Sequence, residues 1–375
     1  MKHIRLFTIL MPLLVLNACA LRQSGNVSTP SPTPTSTPDP LAGWTLERKV
    51  AQLFLVRPET ITGGPLLTAG AEAQARYDEI PVGGFIFFKE NITDEKQTIE
   101  LVKSLRALSS EPIWIAVDME GGRVNRFPAD AFPYMAPPAL TLAQQNDPEA
   151  VRDLHRRMGQ ELLAWGFDVD FAPVADVFSN PENKVIGTRA FGTTPEDASP
   201  YVAAATLGLK EAGVLPVLKH FPGHGDTIGD THKGAVQATK TLKEMERFEF
   251  LPFEAGFQAG ADAVMVAHVL CPNVTDDGLP ASLSHEIITD ILRKRLGFDG
   301  LVFTDALDME AVSKYYTPDK AAVKAIEAGA DVLLMPTDTK AAFSAVLAAV
   351  KNGEITEKRI DQSVLRILKY KQGGK

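Results

Sequence analysis

The stretch Ala263-Val264-Met265-Val266-Ala267-His268, the segment Ser284–Gly297 and the run Leu301-Val302-Phe303-Thr304-Asp305 together form one strand–helix–strand unit. Neither apolar run shows the in–out alternation of a half-exposed strand, so both suit strands buried on two faces of a parallel sheet. Ser284–Gly297 carries apolar residues at helical spacing and stops on a glycine, as helix C-termini tend to. Each run ends on a group able to carry chemistry: His268 in the first, Asp305 in the second.

Working outward, the unit recurs. Six more short apolar runs follow the same pattern: Gln52–Val56, Gly84–Phe88, Ile113–Asp118, Asp168–Ala172, Pro216–His220 and Val332–Met335. Helical spacing fills Pro148–Trp165, Ser199–Gly213 and Lys243–Gly260. Eight alternations without a second shift in composition predict a single (β/α)8 TIM-type barrel over residues 44–375. A doubly wound open sheet is the competing architecture. No Gly-x-Gly-x-x-Gly follows the first run and no Walker loop occurs, so the nucleotide-binding folds lose support.

Composition narrows the class. With 45% hydrophobic and 23% charged residues the chain has the make-up of a soluble globular protein, which excludes disordered, collagen-like and multi-span membrane chains. The net charge of −9 argues against a nucleic-acid partner, which calls for a basic stripe. Two cysteines, Cys19 and Cys271, cannot make a disulfide framework, so the core must hold the fold.

Polar residues collect where a barrel enzyme keeps its site, at the C-terminal ends of several strands. Asp118 and Glu120 close the third run, Lys219 and His220 the fifth, His268 the sixth and Asp305 the seventh. One such residue could simply cap the following helix. This many together predict an active site. The loop Lys219-His220-Phe221-Pro222-Gly223-His224-Gly225-Asp226, with Asp230-Thr231-His232 after it, concentrates three histidines over the strand ends. Two readings are open. His220, His224 and His232 with Asp226 or Asp230 could hold a metal, although Lys219 beside them would repel it and no His-x-His spacing occurs. Alternatively, Asp230 orients His232, and the pair carries a proton near neutral pH.

That loop resembles the signature of glycoside hydrolase family 3, in its bacterial β-N-acetylglucosaminidase branch. Four more stretches resemble the same branch, in its order: Val117-Asp118-Met119-Glu120-Gly121-Gly122-Arg123-Val124, Phe171-Ala172-Pro173-Val174-Ala175-Asp176-Val177, Gly187-Thr188-Arg189-Ala190-Phe191-Gly192 and Phe303-Thr304-Asp305-Ala306-Leu307-Asp308-Met309. The resemblance implies a retaining hydrolase for terminal β-linked N-acetylhexosamine, needing no cofactor or metal. It implies Asp305 as nucleophile, with Asp308 the rival carboxylate that suits the first turn of the next helix better. It implies His232 as general acid/base oriented by Asp230, and Asp118, Arg126, Arg189, Lys219 and His220 as sugar-binding residues. Glu120 and Arg123 are expected to support the loop, and His224 and Asp226 to shape the turn. His155 is expected to be structural and Cys271 a small buried apolar side chain. Many relatives add a C-terminal sandwich domain; none is expected here, where the chain stops after the eighth run and a closing helix. A phosphorylase of the same fold, and an inactive wall-binding protein, are the other functional readings. A monomer is expected.

The N-terminus has its own character. Residues 1–18 run from a basic start through an apolar stretch to Leu16-Asn17-Ala18-Cys19, which resembles a lipoprotein signal with Cys19 as the lipidated residue. Residues 19–43 form a linker; within 20–40, five prolines and eight Ser/Thr cannot pack a core, and at ~3.1 Å per residue they could span about 65 Å. The expectation is an enzyme held outside a bacterial membrane by a lipid, acting on muropeptides or other hexosaminides.

Overall fold

Among the described residues, ten short strands follow one another: β1 (Phe54–Val56), β2 (Gly84–Phe87), β3 (Trp114–Val117), β4 (Val169–Asp170), β5 (Leu215–Phe221), β6 (Val236–Gln237), β7 (Ala263–Val266), β8 (Val269–Leu270), β9 (Leu301–Thr304) and β10 (Leu333–Leu334). They come from a computed structural model that describes residues 40–371, apart from 62 and 65. The expected signal, Cys19 and most of the linker lie outside the described residues.

Eight strands pair in parallel in the order β10-β1-β2-β3-β4-β5-β7-β9. The ring closes where Phe303 bridges Val332: the Thr304 N–H donates to the Val332 carbonyl at 3.0 Å, and the Val332 N–H to the Val302 carbonyl at 3.1 Å. An open sheet would have two free edges here, so the closure decides for the single (β/α)8 barrel. β6 and β8 pair outside the ring.

β2, β3, β7 and β9 are buried along their whole length because each has barrel interior on one face and helices on the other. Phe303 on β9 meets Trp114 on β3 (centroids 6.2 Å apart) and Phe171 beyond β4 (5.5 Å). These strands are not neighbours in the ring, so the rings meet across the barrel and fill it. The mouth therefore has a solid apolar floor.

Helix boundaries follow local chemistry. Pro148–Trp165 starts where the Asp147 carboxylate accepts the Ala150 N–H, and ends on Gly166 in the left-handed region. Two expected helices differ from the sequence reading. The one expected from Ser199 starts at Pro195, capped by Thr194, and accommodates Pro200 inside it. The one expected over Lys243–Gly260 is split into Leu242–Arg247 and Phe250–Gln258, because the chain breaks at Phe248 and turns Glu249 inward against Lys240. Among the described residues, no helix is long and apolar enough to cross a membrane.

Candidate active site

The C-terminal ends of the strands ring one cavity of about 280 Å³, close to the roughly 300 Å³ lower bound of small-molecule sites and sized for one sugar ring. Asp118 follows β3, Lys219 and His220 lie in β5, and Asp305 follows β9; all four line it, with Glu120, Arg126, Arg189 and His232.

One wall is an almost buried ionic network. Lys219 Nζ lies 2.7 Å from Asp118 Oδ1 and 2.6 Å from Glu120 Oε1. Arg126 donates to Asp118 Oδ2 at 2.9 Å, and Arg189 grips both Glu120 oxygens at 2.7 and 2.8 Å. Burial opposes ionisation of both carboxyls, but the cations outweigh it: Lys219 and Arg126 hold Asp118 well below the carboxylate range, and Arg189 and Lys219 bring Glu120 down to about 2. Lys219, whose charge burial alone would suppress, is kept charged by Asp118 and Glu120. The network extends through Arg189 Nη2, 3.3 Å from His220 Nε2, to Asp176, whose Oδ2 is 2.7 Å from His220 Nδ1. An arginine N–H can only donate, so this geometry puts the His220 proton on Nδ1, facing Asp176. Fixed donors and acceptors packed at this density suit the hydroxyls of a sugar.

Asp305 stands opposite. Its Oδ1 accepts the Ala306 N–H at 2.8 Å. Burial would raise its pKa, yet the neighbouring His268 and His220 imidazoles and that N–H outweigh burial and leave it below the usual carboxylate value. Asp308 behaves oppositely: burial, reinforced by the charge of Asp305, raises it despite Arg57, 3.7 Å away. Of the two carboxylates, Asp305 is the better formed anion.

The third part is the loop after β5. Asp230 Oδ1 accepts the His232 N–H at 3.0 Å and faces His232 Nδ1 at 2.9 Å, so the carboxylate orients the ring and leaves Nε2 free. The His232 side chain is 66% exposed, yet it lines the same cavity and acts electrostatically on Asp305. Thr231, buried beside it, fixes the loop: its carbonyl accepts the Ala311 N–H at 3.0 Å, which ties the dyad to the segment beyond Asp305.

Residues 45–370 match the model of the glycosyl hydrolase family 3 N-terminal domain. The chain belongs to glycosyl hydrolase family 3. Among solved structures it is similar to a family 3 β-N-acetylglucosaminidase from Paenibacillus sp. str. FPU-7, with a TM-score of 0.83 and 39% identity, over 88% of this chain and 62% of that one. In sequence it is 35% identical over 334 residues to β-hexosaminidase LpqI of Mycobacterium tuberculosis, covering 86% of this chain and 82% of the relative. Its identity to β-hexosaminidase A of Pseudoalteromonas piscicida is 34% over 329 residues, 80% of this chain but only 54% of that longer protein.

In this family 3 chain the structure brings Asp118, Arg126, Arg189, Lys219, His220, Asp305 and the Asp230–His232 dyad to one mouth. It does not assemble the three histidines around a common point. His224 is buried, with Nδ1 2.8 Å from Thr227 Oγ1 and Nε2 3.3 Å from Thr231 Oγ1, and burial lowers its pKa. Among the described residues no group of three His, Cys, Asp or Glu side chains is placed to hold a metal ion. Arg123 donates to the carbonyls of Lys184 and Ile186, bracing the loop before Arg189. His155 is buried and hydrogen-bonds the Val151 carbonyl. Cys271 is buried too, which pushes its thiol up to about 12.

Sequence reasoning gave no role to three residues that matter here. Asp176 is fully buried and, besides His220, accepts the His224 N–H at 2.6 Å. An acid inside the apolar run Phe171–Val177 was the signal. His268, two residues beyond β7, lies between Ser282 Oγ (2.6 Å) and the Ala306 carbonyl (2.9 Å), and so fixes the residue next to Asp305. Met335, after β10, lines the cavity with φ at 48°, a left-handed conformation that costs a non-glycine residue ~1–3 kcal/mol.

Proposed function

We propose that this chain is an exported retaining β-N-acetylhexosaminidase that removes terminal β-linked N-acetylglucosamine from peptidoglycan fragments, while held by a lipid on Cys19 at the outer face of a bacterial membrane. The observation that carries the reading is the pairing of a well-formed carboxylate, Asp305, with a carboxylate-oriented imidazole, His232, across one sugar-sized cavity. The Mycobacterium relative, a β-hexosaminidase, and the Paenibacillus relative, a β-N-acetylglucosaminidase, support the substrate class.

In the first step Asp305 attacks the anomeric carbon while the His232 imidazolium gives its proton to the departing glycosidic oxygen, producing a glycosyl-enzyme ester and a free alcohol. In the second, neutral His232 takes a proton from water as the oxygen attacks the same carbon and Asp305 leaves. Two inversions retain the configuration. Most retaining glycosidases pair two carboxylates; here a carboxylate–imidazole pair fills the acid/base role. The buried network grips the ring hydroxyls throughout.

The test uses aryl β-N-acetylglucosaminides. Asp305→Ala should abolish turnover. His232→Ala should lower kcat/KM by about 10²–10⁴-fold for a phenol that needs protonation, and far less for dinitrophenol. Equal losses on both substrates overturn the acid/base assignment, and an α-anomeric first product overturns retention. Sugar 1-phosphate dominating in phosphate buffer identifies a phosphorylase instead. Radiolabelled palmitate incorporation that survives Cys19→Ala refutes the anchor.

A further inference from the structure

We propose that Lys240 is a positioning residue for the acid/base dyad, acting through an ion-pair clasp with Asp226 that closes the base of the loop carrying Asp230 and His232. The inference rests on the dyad reading above and goes beyond it, since Lys240 does not line the cavity.

Asp226 and Lys240 stand at the two ends of residues 227–239, and Lys240 Nζ lies 2.7 Å from Asp226 Oδ2. The same ammonium is 2.7 Å from Glu249 Oε1, at the break between the two helices that follow. Each partner is fixed in turn. Asp226 Oδ1 accepts from Ser179 Oγ at 3.0 Å, and the Asp226 carbonyl accepts from Asn180 Nδ2 at 3.2 Å. The Glu249 side chain is 4% exposed, and Lys240 also sits 5.1 Å over the Phe248 ring. The loop's ends are therefore locked to the barrel, and its return limb is tied down by β6 pairing with β8. The arm between is open: Ile228 is 71% exposed and His232 nearly as much, with Thr231 as the inward anchor.

A long loop with an exposed working end holds its tip only as well as its base is fixed. Proton transfer tolerates little displacement, so loosening the base removes acid catalysis before it affects sugar binding. Lys240 and Asp226 keep 24% and 34% side-chain exposure, so their ion pair adds little to stability and its contribution is to register. Burial tends to discharge Lys240, but Asp226 and Glu249 reverse that and keep it charged, so the clasp stays ionic through the working pH range.

The test compares Lys240→Met and Lys240→Arg in the full chain. The assay is kcat/KM for a dinitrophenyl glycoside, which needs no proton, and for an alkyl glycoside, which does. Lys240→Met should lose at least about tenfold on the alkyl glycoside and less than about threefold on the dinitrophenyl one. Lys240→Arg should restore the alkyl activity to within about threefold. Asp226→Asn should repeat the selective loss, and it keeps the question decidable if Lys240→Met does not fold. Equal losses on both substrates, no loss on either, or an arginine variant as impaired as methionine overturns the clasp. His232→Ala run in parallel separates the two readings: if it shows the selective loss and Lys240→Met does not, the clasp fails and the dyad stands. If His232→Ala shows no selectivity, the dyad itself fails.

Discussion

Replacing Glu120 by glutamine tests the ionic wall. The side chain keeps its shape and loses its charge, at a position 5% exposed and held by Arg189 and Lys219 within 2.6–2.8 Å. Ionisation at about 2 rather than 4.5 is a shift of about 2.5 units; at 1.36 kcal/mol per unit the folded state gains about 3 kcal/mol from the ionised form. That agrees with the 3–5 kcal/mol found when one partner of a buried pair is removed. The sign is fixed by the direction of the shift. A carboxyl whose folded pKa is depressed gives its full contribution above 4.5 and loses it as pH falls toward 2. Urea unfolding should show Glu120→Gln about 3 kcal/mol less stable than the parent at pH 7, with the gap shrinking to less than half near pH 3. KM for an aryl β-N-acetylglucosaminide should rise at least about tenfold, because Arg189 and Lys219 lose the acceptor that aims them. A gap under 1 kcal/mol at pH 7, or one that does not narrow in acid, refutes the reasoning.

Asp308→Asn should keep more than about a tenth of kcat, since the raised carboxyl beside Arg57 is the poorer anion; a loss as complete as that of Asp305→Ala would move the nucleophile to Asp308. His155, buried and lowered by that burial to about 4 from 6.5, makes stability fall as pH drops through that window, by about 3 kcal/mol; His155→Phe should abolish this slope in unfolding titrations. Gly225→Ala would put a Cβ 1.8 Å from the Val177 carbonyl oxygen, so it should lower stability by about 1–3 kcal/mol and displace the dyad loop, whereas Gly70→Ala, with open space around it, should cost no more than the roughly 0.5–1 kcal/mol of a poorer helix N-cap in the same melts.

The barrel was legible because its strands are short apolar runs with both faces buried, and a buried parallel strand needs little else from its sequence. Closure was legible only through the count of eight alternations, since Phe303 meets Val332 through backbone groups that any residue supplies. The split at Phe248 comes from Pro252, four residues on, which has no N–H for the Phe248 carbonyl and whose ring crowds that group, while the helical periodicity around it hid the break. At the site, residues ending strands stood out by contrast with their apolar neighbours, as Asp118 and Asp305 did. Asp176 and His268 act on other polar groups rather than on the cavity, so only the fold reveals what they hold. Lys240 looked like one more lysine in a polar loop, and its partner Glu249 lies inside what the sequence presents as one helix.

The two halves of the site obey different physics. The ionic wall, the proposed sugar grip, is built from charges largely removed from water, where each cation already has its carboxylate. Such a wall discriminates strongly, because a sugar lacking the matching hydroxyl would leave buried groups unpaired. In the proposed mechanism His232 exchanges protons with a leaving group and then with water, whereas the buried imidazoles of His155 and His224 are driven toward their neutral form. His232 instead stands 66% exposed, without the rigidity that burial gives. Asp230, the Thr231 anchor and the Asp226–Lys240 clasp supply that rigidity from outside the cavity. In the proposed hexosaminidase the buried side recognises the glycone and the exposed side transfers the proton.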